Sequence, residues 1–147
     1  MTTATSTATV DVRPQPLIVC TSVSGSSEWY QRVLGLESAH GGDEYEMLMS
    51  DGALVLQLHE VDVHEHAALA REGQPLGGNG VALWFDTATF DTDVERIRSA
   101  VDDVNVDVVV DVVEDVHVNP LAQHREIWLR DPDGYIVVLS SPYGDLG

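Results

Sequence analysis

The sequence contains no lysine and a single cysteine, Cys20. One cysteine excludes a disulfide within the chain and any metal site built from several cysteines, which fits a reducing compartment. No apolar run approaches the roughly 20 residues that a membrane-spanning helix needs. The Thr- and Ala-rich start of the chain also lacks the basic region and apolar centre of a signal peptide. We therefore expect a cytoplasmic protein.

Positive charge is scarce. Seven arginines stand against 25 acidic residues, and the formal net charge is −18. A polyanion of this size repels nucleic acid phosphates and anionic membranes, so we expect neither as a partner. The charge keeps the chain soluble, and it also suits a high-salt environment in which counter-ions screen the self-repulsion. Both explanations stay open.

The length and composition predict one domain. With 147 residues, 44% of them hydrophobic, the chain can bury one sizeable core but not two. Residues 1–14 are small and polar without periodicity, which is typical of a disordered tail. The domain is predicted to span residues 15–142, with a first module at about 15–66 and a second module at about 79–142.

The first module is predicted to contain one helix among strands. Ser26 and Ser27 are interpreted as capping residues at the start of the helix. Asp51-Gly52 is a strong hairpin signal between the last two strands. The predicted elements are a strand at Leu17–Thr21, a helix at Ser26–Leu34, and strands at Glu44–Met49 and Ala53–His59.

The same order then begins again. A second hairpin signal, Asp131-Pro132-Asp133-Gly134, closes the second module as Asp51-Gly52 closes the first. The predicted elements are a strand at Val81–Phe85, a helix at Phe90–Val101, a strand at Val104–Val113, a loop at Asp115–Gln123, and strands at His124–Arg130 and Tyr135–Ser141. This repeat predicts an α+β fold of two βαβββ modules, whose half-barrel sheets pair around a cleft suited to a ligand.

Three segments resemble a known superfamily. They are the strand leading into SEWYQRVLGL at residues 27–36, the VALWF strand at residues 81–85, and WLRDPDGY at residues 128–135. Together they resemble the vicinal oxygen chelate superfamily of glyoxalases, bleomycin-resistance proteins and extradiol dioxygenases. The resemblance covers about residues 15–142. It implies a cup-shaped sheet in each module and, because family members commonly dimerise, a homodimer.

In the best-known enzymes of this superfamily, four side chains from four strands hold a divalent metal. The matching positions in this chain are Gln15, Gln57, Gly80 and Val138. Gly80 and Val138 have no ligating side chain, and glutamine amides are weak neutral ligands. We therefore expect no metal at the usual positions and no required cofactor.

Strand alternation places Trp84, Trp128, Gln57 and His59 on the inward faces of the sheets. Two inward indoles offer rigid surfaces between which a flat ligand would be clamped, although tryptophan in a strand also serves as core packing. The leading hypothesis is a metal-independent protein that binds a small molecule, with aromatic compounds and natural products as the candidate ligands.

His124 and Glu126 lie two residues apart on one strand and are predicted to face the same cleft. A carboxylate beside an imidazole is a candidate acid–base or hydrogen-bonding pair. With His59, they would also supply a displaced site for a divalent metal. Either arrangement predicts an enzyme instead, a lyase, isomerase or dioxygenase. A third alternative is an interaction domain whose cleft is filled by its own side chains.

Overall fold

The structure is a computed structural model that describes residues 10–61, 69–70, 73–77, 80–104 and 108–147. The first module contains β1 (Leu17–Cys20), α1 (Val23–Leu34), β2 (Glu37–Ser38), β3 (Tyr45–Ser50) and β4 (Ala53–Glu60). The second contains β5 (Ala82–Asp86), α2 (Phe90–Asp102), β6 (Asp111–Asn119), β7 (His124–Arg130) and β8 (Ile136–Ser140). The predicted α+β fold with two βαβββ modules is therefore confirmed.

Each module forms its own four-stranded sheet, and the two sheets have the same strand order. The orders are β1-β4-β3-β2 and β5-β8-β7-β6. The first strand of each module runs parallel to the last, and the other neighbours are antiparallel. The repeat seen in the sequence is thus a repeat of topology.

Helix α1 begins earlier than the sequence predicts. Ser22 caps it, and its hydroxyl accepts a hydrogen bond from the Gly25 amide at 3.1 Å. The helix then begins at Val23, which places Ser26 and Ser27 inside the helix, where both are buried. The interpretation of these two serines as capping residues is therefore wrong.

Strand β6 also differs from the prediction. β6 spans Asp111–Asn119, so it overlaps the strand expected at Val104–Val113 only at residues 111–113 and continues into the region expected to be a loop. β6 is the outer strand of the second sheet, and its register against β7 shifts twice. Such bulges break the strict alternation on which the sequence prediction relied. Residues 105–107 lie outside the described residues.

The segments at the predicted domain boundaries are described only in part, and the boundaries stay predictions. Residues 1–9 of the predicted disordered tail lie outside the described residues, as do residues 62–68, 71–72 and 78–79 between the modules. At the other end, the structure continues past residue 142. The amides of Gly144 and Leu146 donate to the carbonyls of Ala122 and Gln123 at 2.9 and 2.8 Å. No helix in the described ranges is long and apolar enough to cross a membrane.

A buried carboxylate joins the two modules. Asp131 accepts hydrogen bonds from the amides of Asp133 and Tyr135, each at 2.9 Å, and from the Tyr30 hydroxyl of α1 at 2.6 Å. Asp133 in turn accepts from the Thr21 amide at 3.2 Å. Burial raises the pKa of Asp131, and burial beside this carboxylate raises the pKa of Tyr30 well above its ordinary value. The turn between β7 and β8 therefore ties the second module to α1 of the first.

Replacing Tyr30 by phenylalanine should lower the free energy of unfolding by about 1–3 kcal/mol, because one oxygen of the buried Asp131 carboxylate loses its donor. Urea denaturation would measure this loss. Tyr143→Phe is the matched control, since the Tyr143 side chain is exposed. A Tyr30→Phe variant as stable as the control would contradict the role of this contact.

Candidate functional site

Strand β7 directs its polar side chains to the inward face of the second sheet. His124, Glu126 and Trp128 alternate with Ile127 and Leu129, which are fully buried in the core beneath the helices. Successive side chains of a strand point to opposite faces, so the three polar positions share one face. The structure therefore brings together three of the residues that the sequence singles out.

Glu126 is the centre of this group and is 3% exposed. Its Oε1 accepts hydrogen bonds from His117 Nε2 at 3.0 Å and Trp128 Nε1 at 2.9 Å. Its Oε2 accepts from His124 Nε2 at 2.8 Å and Asn119 Nδ2 at 3.4 Å. Burial by itself would raise the pKa of Glu126, but these four hydrogen bonds outweigh it and hold the pKa below its usual value. The carboxylate is therefore ionised at neutral pH.

Two members of this group, His117 and Asn119, are not among the site residues predicted from the sequence. Both lie on β6, in the region predicted to be a loop. His117 is paired across the sheet with Glu126. The sequence could have indicated these two residues only through the polar side chains of a strand next to β7. The hydrogen bond with the Asp115 carbonyl and the contact with Glu126 raise the pKa of His117. The carboxylate thus lies between two imidazoles.

His124 has one ring nitrogen without a partner. The residue is 4% exposed, and its Nδ1 is buried and makes no hydrogen bond among the described residues. Because Glu126 is ionised, Nε2 carries the proton that it donates. The imidazole lines a cavity.

The cavity beside His124 has a volume of about 420 Å³. Its other side includes Trp84, which is 46% exposed and whose Nε1 donates to Ser140 Oγ at 3.0 Å. The centres of the Trp84 and His124 rings lie 5.9 Å apart. The lining comprises Trp84, Asp86, Asn119, Ala122, His124, Ser140 and Tyr143.

The two inward tryptophans form a corner rather than a clamp. The ring centres of Trp84 and Trp128 lie 6.2 Å apart, and their planes meet at 82°. A flat ligand fits between two rings only when these are parallel and further apart, so the expected clamp is wrong. Trp84 still offers its exposed face, and the ligand-binding role of each ring stays a prediction.

The positions of the usual metal ligands have other surroundings. Gln57 accepts a hydrogen bond from the Tyr45 hydroxyl at 2.6 Å and donates to the Gln15 carbonyl at 2.9 Å, so its amide links β4 to its neighbours. Val138 is fully buried, and Gly80 has a positive φ of 78°. Neither residue offers a side-chain ligand.

His59 lies on a different sheet from His124 and Glu126, which are on β7. His59 lies on β4 of the first sheet, where its ring centre is 6.4 Å from that of Tyr45. In the described part of the chain, no group of three or more histidine, cysteine, aspartate or glutamate side chains is placed to hold a metal ion. The displaced site of His59, His124 and Glu126 is therefore not assembled there.

Glu126→Gln should lower the free energy of unfolding by about 2–4 kcal/mol at neutral pH. The reason is that glutamine offers one acceptor oxygen in place of two, while the same four donors surround the side chain. The folded-state pKa lies below the unfolded value of 4.5, so the carboxylate stabilises the fold above that pH. This contribution is lost as the pH falls through the folded-state pKa. The difference from wild type should therefore shrink in acid.

Urea denaturation across a pH series would measure this difference. Glu37→Gln is the matched control, because Glu37 is exposed on β2 of the other sheet. A Glu126→Gln penalty that stayed constant on acidification would contradict the ionised state of the buried carboxylate.

No family model matches the chain, and no curated protein is detectably similar to it. Solved structures are similar in fold. A protein of unknown function from Agrobacterium tumefaciens is 17% identical and has a TM-score of 0.68, with 91% of this chain and 97% of that chain covered. A glyoxalase/bleomycin resistance protein/dioxygenase family enzyme from Burkholderia phytofirmans is 16% identical, with a TM-score of 0.65 and coverage of 86% and 96%.

A glyoxalase/bleomycin resistance protein/dioxygenase from Nocardioides is 17% identical, with a TM-score of 0.65 and coverage of 95% and 89%. At such identities the likeness establishes the fold and not the activity. The chain therefore has the vicinal oxygen chelate fold of the glyoxalase, bleomycin resistance and dioxygenase proteins.

Proposed function

We propose that this protein binds a small organic molecule with an aromatic part, without a metal at the usual positions. The ligand would lie against the exposed face of Trp84 and donate a hydrogen bond to His124 Nδ1. The observation that carries this proposal is that one cavity is lined by the exposed indole of Trp84 and by His124, whose buried Nδ1 has no partner among the described residues. An unpartnered buried acceptor costs about 1–3 kcal/mol, which a ligand donor would recover.

The surrounding polar groups support a preorganised site. Trp84 Nε1 is bonded to Ser140, Trp128 Nε1 to Glu126, and His124 Nε2 to the same carboxylate. These groups are held in place before a ligand arrives, so binding would not have to order them. A volume of about 420 Å³ lies within the range of small-molecule sites.

A neighbouring groove would accommodate a larger ligand. It has a volume of about 770 Å³, is lined by residues of both modules, and shares Trp84 and Asp86 with the first cavity. Arg13 and Arg96 also line this groove, and each is paired with a nearby aspartate. The indole of Trp84 thus borders both spaces, and a ligand that lies on it can extend towards the first module.

Replacing Trp84 by alanine should weaken the binding of flat aromatic compounds by about tenfold or more, because stacking on an aromatic side chain contributes about 1–3 kcal/mol. Ligand-observed NMR with an aromatic fragment library would identify binders, and titrations would give their dissociation constants. Val101→Ala on α2 is the control, since it also truncates an exposed apolar side chain. Binders that retain full affinity for Trp84→Ala would count against this site.

A second candidate function is acid–base catalysis. The Glu126 carboxylate holds His124 Nε2 at 2.8 Å, Nδ1 has no partner among the described residues, and the imidazole lines the cavity. In this reading, Nδ1 removes a proton from a bound substrate, and the adjacent carboxylate stabilises the imidazolium that forms. The unpartnered nitrogen favours this function as well as binding, and catalysis would require that the ligand present an acidic proton there.

An aromatic ketone with acidic C–H groups, 2-indanone, would test the second function. If His124 acts as a base, wild type should accelerate the exchange of its α-protons with deuterium oxide. Glu126→Gln should slow this exchange by about tenfold or more, and His124→Gln should remove it, since general bases contribute about 10²–10⁴ in rate. NMR would follow the exchange. A rate that is the same in wild type and both variants would exclude this chemistry for that compound class.

A further inference from the structure

The outer strand of the second sheet, β6, has a histidine directly after one of its bulges. From Glu114 to His117 the strand advances three residues, while β7 advances two, from Trp128 to Glu126. A bulge interrupts the ladder of backbone hydrogen bonds between two strands. His117 is the residue at which the pairing with β7 resumes. Side-chain contacts of His117 therefore contribute to the attachment of β6 where the ladder is weakest.

Both ring nitrogens of His117 lie next to hydrogen-bond acceptors. Nδ1 is 2.8 Å from the carbonyl oxygen of Asp115, and Nε2 is 3.0 Å from Glu126 Oε1. A carbonyl oxygen can only accept a hydrogen bond, and so can an ionised carboxylate. The neutral imidazole has one N–H and can satisfy only one of these contacts, whereas the imidazolium has two and satisfies both. The geometry at His117 thus fits the protonated ring.

The charges around His117 favour the same form. Glu126 is buried on β7 and ionised, and Glu114 Oε2 of β6 lies 3.7 Å from His117 Nε2. The carboxylate of Asp115 is bonded to Arg98 of α2 at 2.9 Å. The Asp115 carbonyl, followed by Glu126 and Glu114, raises the pKa of His117, although partial burial opposes this. The cation also balances the buried negative charge of Glu126.

We infer that His117 is a pH-sensitive clasp, which in its imidazolium form holds β6 to β7 and which loosens the strand when it loses its proton. The neutral ring would give up its hydrogen bond to either the Asp115 carbonyl or the Glu126 carboxylate. The clasp is a property of the fold and does not depend on a bound ligand.

A second ion pair also holds β6, but it cannot replace the clasp. Arg98 of α2 stays charged at all relevant pH values, and its hydrogen bond lowers the pKa of Asp115, so this pair does not titrate near neutral pH. The two side chains are 51% and 64% exposed, and exposed pairs contribute little to stability. The partner of His117, in contrast, is a buried carboxylate.

Loosening of β6 would change one wall of the cavity at His124. Asn119 follows His117 by two residues on β6, lines this cavity, and donates to Glu126 Oε2 at 3.4 Å. Displacement of the strand would therefore remove two of the four donors to Glu126 and a part of the cavity lining together. The clasp thus couples the pH to the shape of the proposed binding site.

NMR of isotope-labelled histidine tests the charge of His117 directly. In wild type, both ring nitrogens should be protonated below pH 6.5, and the pKa should lie above this ordinary value. His117→Gln identifies the resonances. A pKa at or below 6.5, or a ring with a single N–H at lower pH, would overturn the inference.

Amide hydrogen exchange tests the attachment of β6. Because the folded-state pKa lies above the unfolded value, the clasp contributes fully below pH 6.5, and its contribution is lost as the pH rises through the folded-state pKa. After correction for the chemical exchange rate, protection of the β6 amides should fall about tenfold for every pH unit by which the measured pKa exceeds 6.5. The amides of β3 and β4 in the first sheet should keep their protection.

Two variants separate the clasp from other titrations. In His117→Gln, the side chain still offers an amide donor but does not titrate, so protection of β6 should be low and should no longer depend on pH. His40→Gln is the matched control, because His40 is an exposed histidine of the first module whose Nδ1 contacts the neighbouring Gly41 carbonyl. It should leave the pH dependence of β6 unchanged.

The same pH dependence of β6 in wild type and His117→Gln would contradict the clasp. So would a loss of protection in both sheets together, because this would report unfolding of the whole domain. The comparison of the NMR pKa with the exchange data uses wild type alone, so it decides the question even if His117→Gln does not fold.

Discussion

The hydrogen bond from the Tyr30 hydroxyl to the buried Asp131 carboxylate, 2.6 Å long, joins α1 of the first module to the β7–β8 turn of the second. The same carboxylate closes the turn itself through the amides of Asp133 and Tyr135. β7 carries His124, Glu126 and Trp128, and β8 carries Ser140. The position of the whole candidate site therefore depends on this contact, because the two strands can hold their side chains steady only while their turn is anchored.

Two further buried carboxylates, Glu46 and Glu126, both accept several hydrogen bonds but have different roles. Glu46 on β3 accepts five hydrogen bonds, from the Ser27 and Ser38 hydroxyls and from the amides of His40, Gly41 and Met47. Burial opposes its ionisation, but these donors lower the pKa of Glu46 to about 2. These donors lie on α1, on β2, in the loop before β3 and on β3 itself, so Glu46 holds these segments together. Glu126 differs because one of its donors, His124, lines a cavity and has a second nitrogen without a partner among the described residues.

Two of the residues that the resemblance aligns with metal ligands, Gln57 and Val138, have structural roles of their own. Gln57 ties β4 to Tyr45 and to the Gln15 carbonyl. Val138 is paired in register with both Trp84 and Trp128, so an apolar side chain lies between the two indoles. A ligating side chain at that position would place a polar group against both rings. Val138 and the two tryptophans thus lie on three neighbouring strands of the second sheet.

The sequence by itself determined the two modules, the strand at His124–Arg130, both hairpin turns, and the shared face of Trp84, His124, Glu126 and Trp128. Side-chain alternation and turn chemistry are local properties, so they can be read without knowledge of distant contacts. The start of α1 at Val23 could also have been predicted from the sequence, because Ser22 is an ordinary capping residue.

Only the tertiary structure decided the rest of the site. The bulges of β6 bring His117 and Asn119 to Glu126, and the C-terminal segment brings Tyr143 to the cavity. The angle between the tryptophans and the free nitrogen of His124 depend on rotamers that neighbouring strands select. Which atoms a buried side chain leaves unpaired is decided by every chain segment packed around it, and no local pattern contains that information.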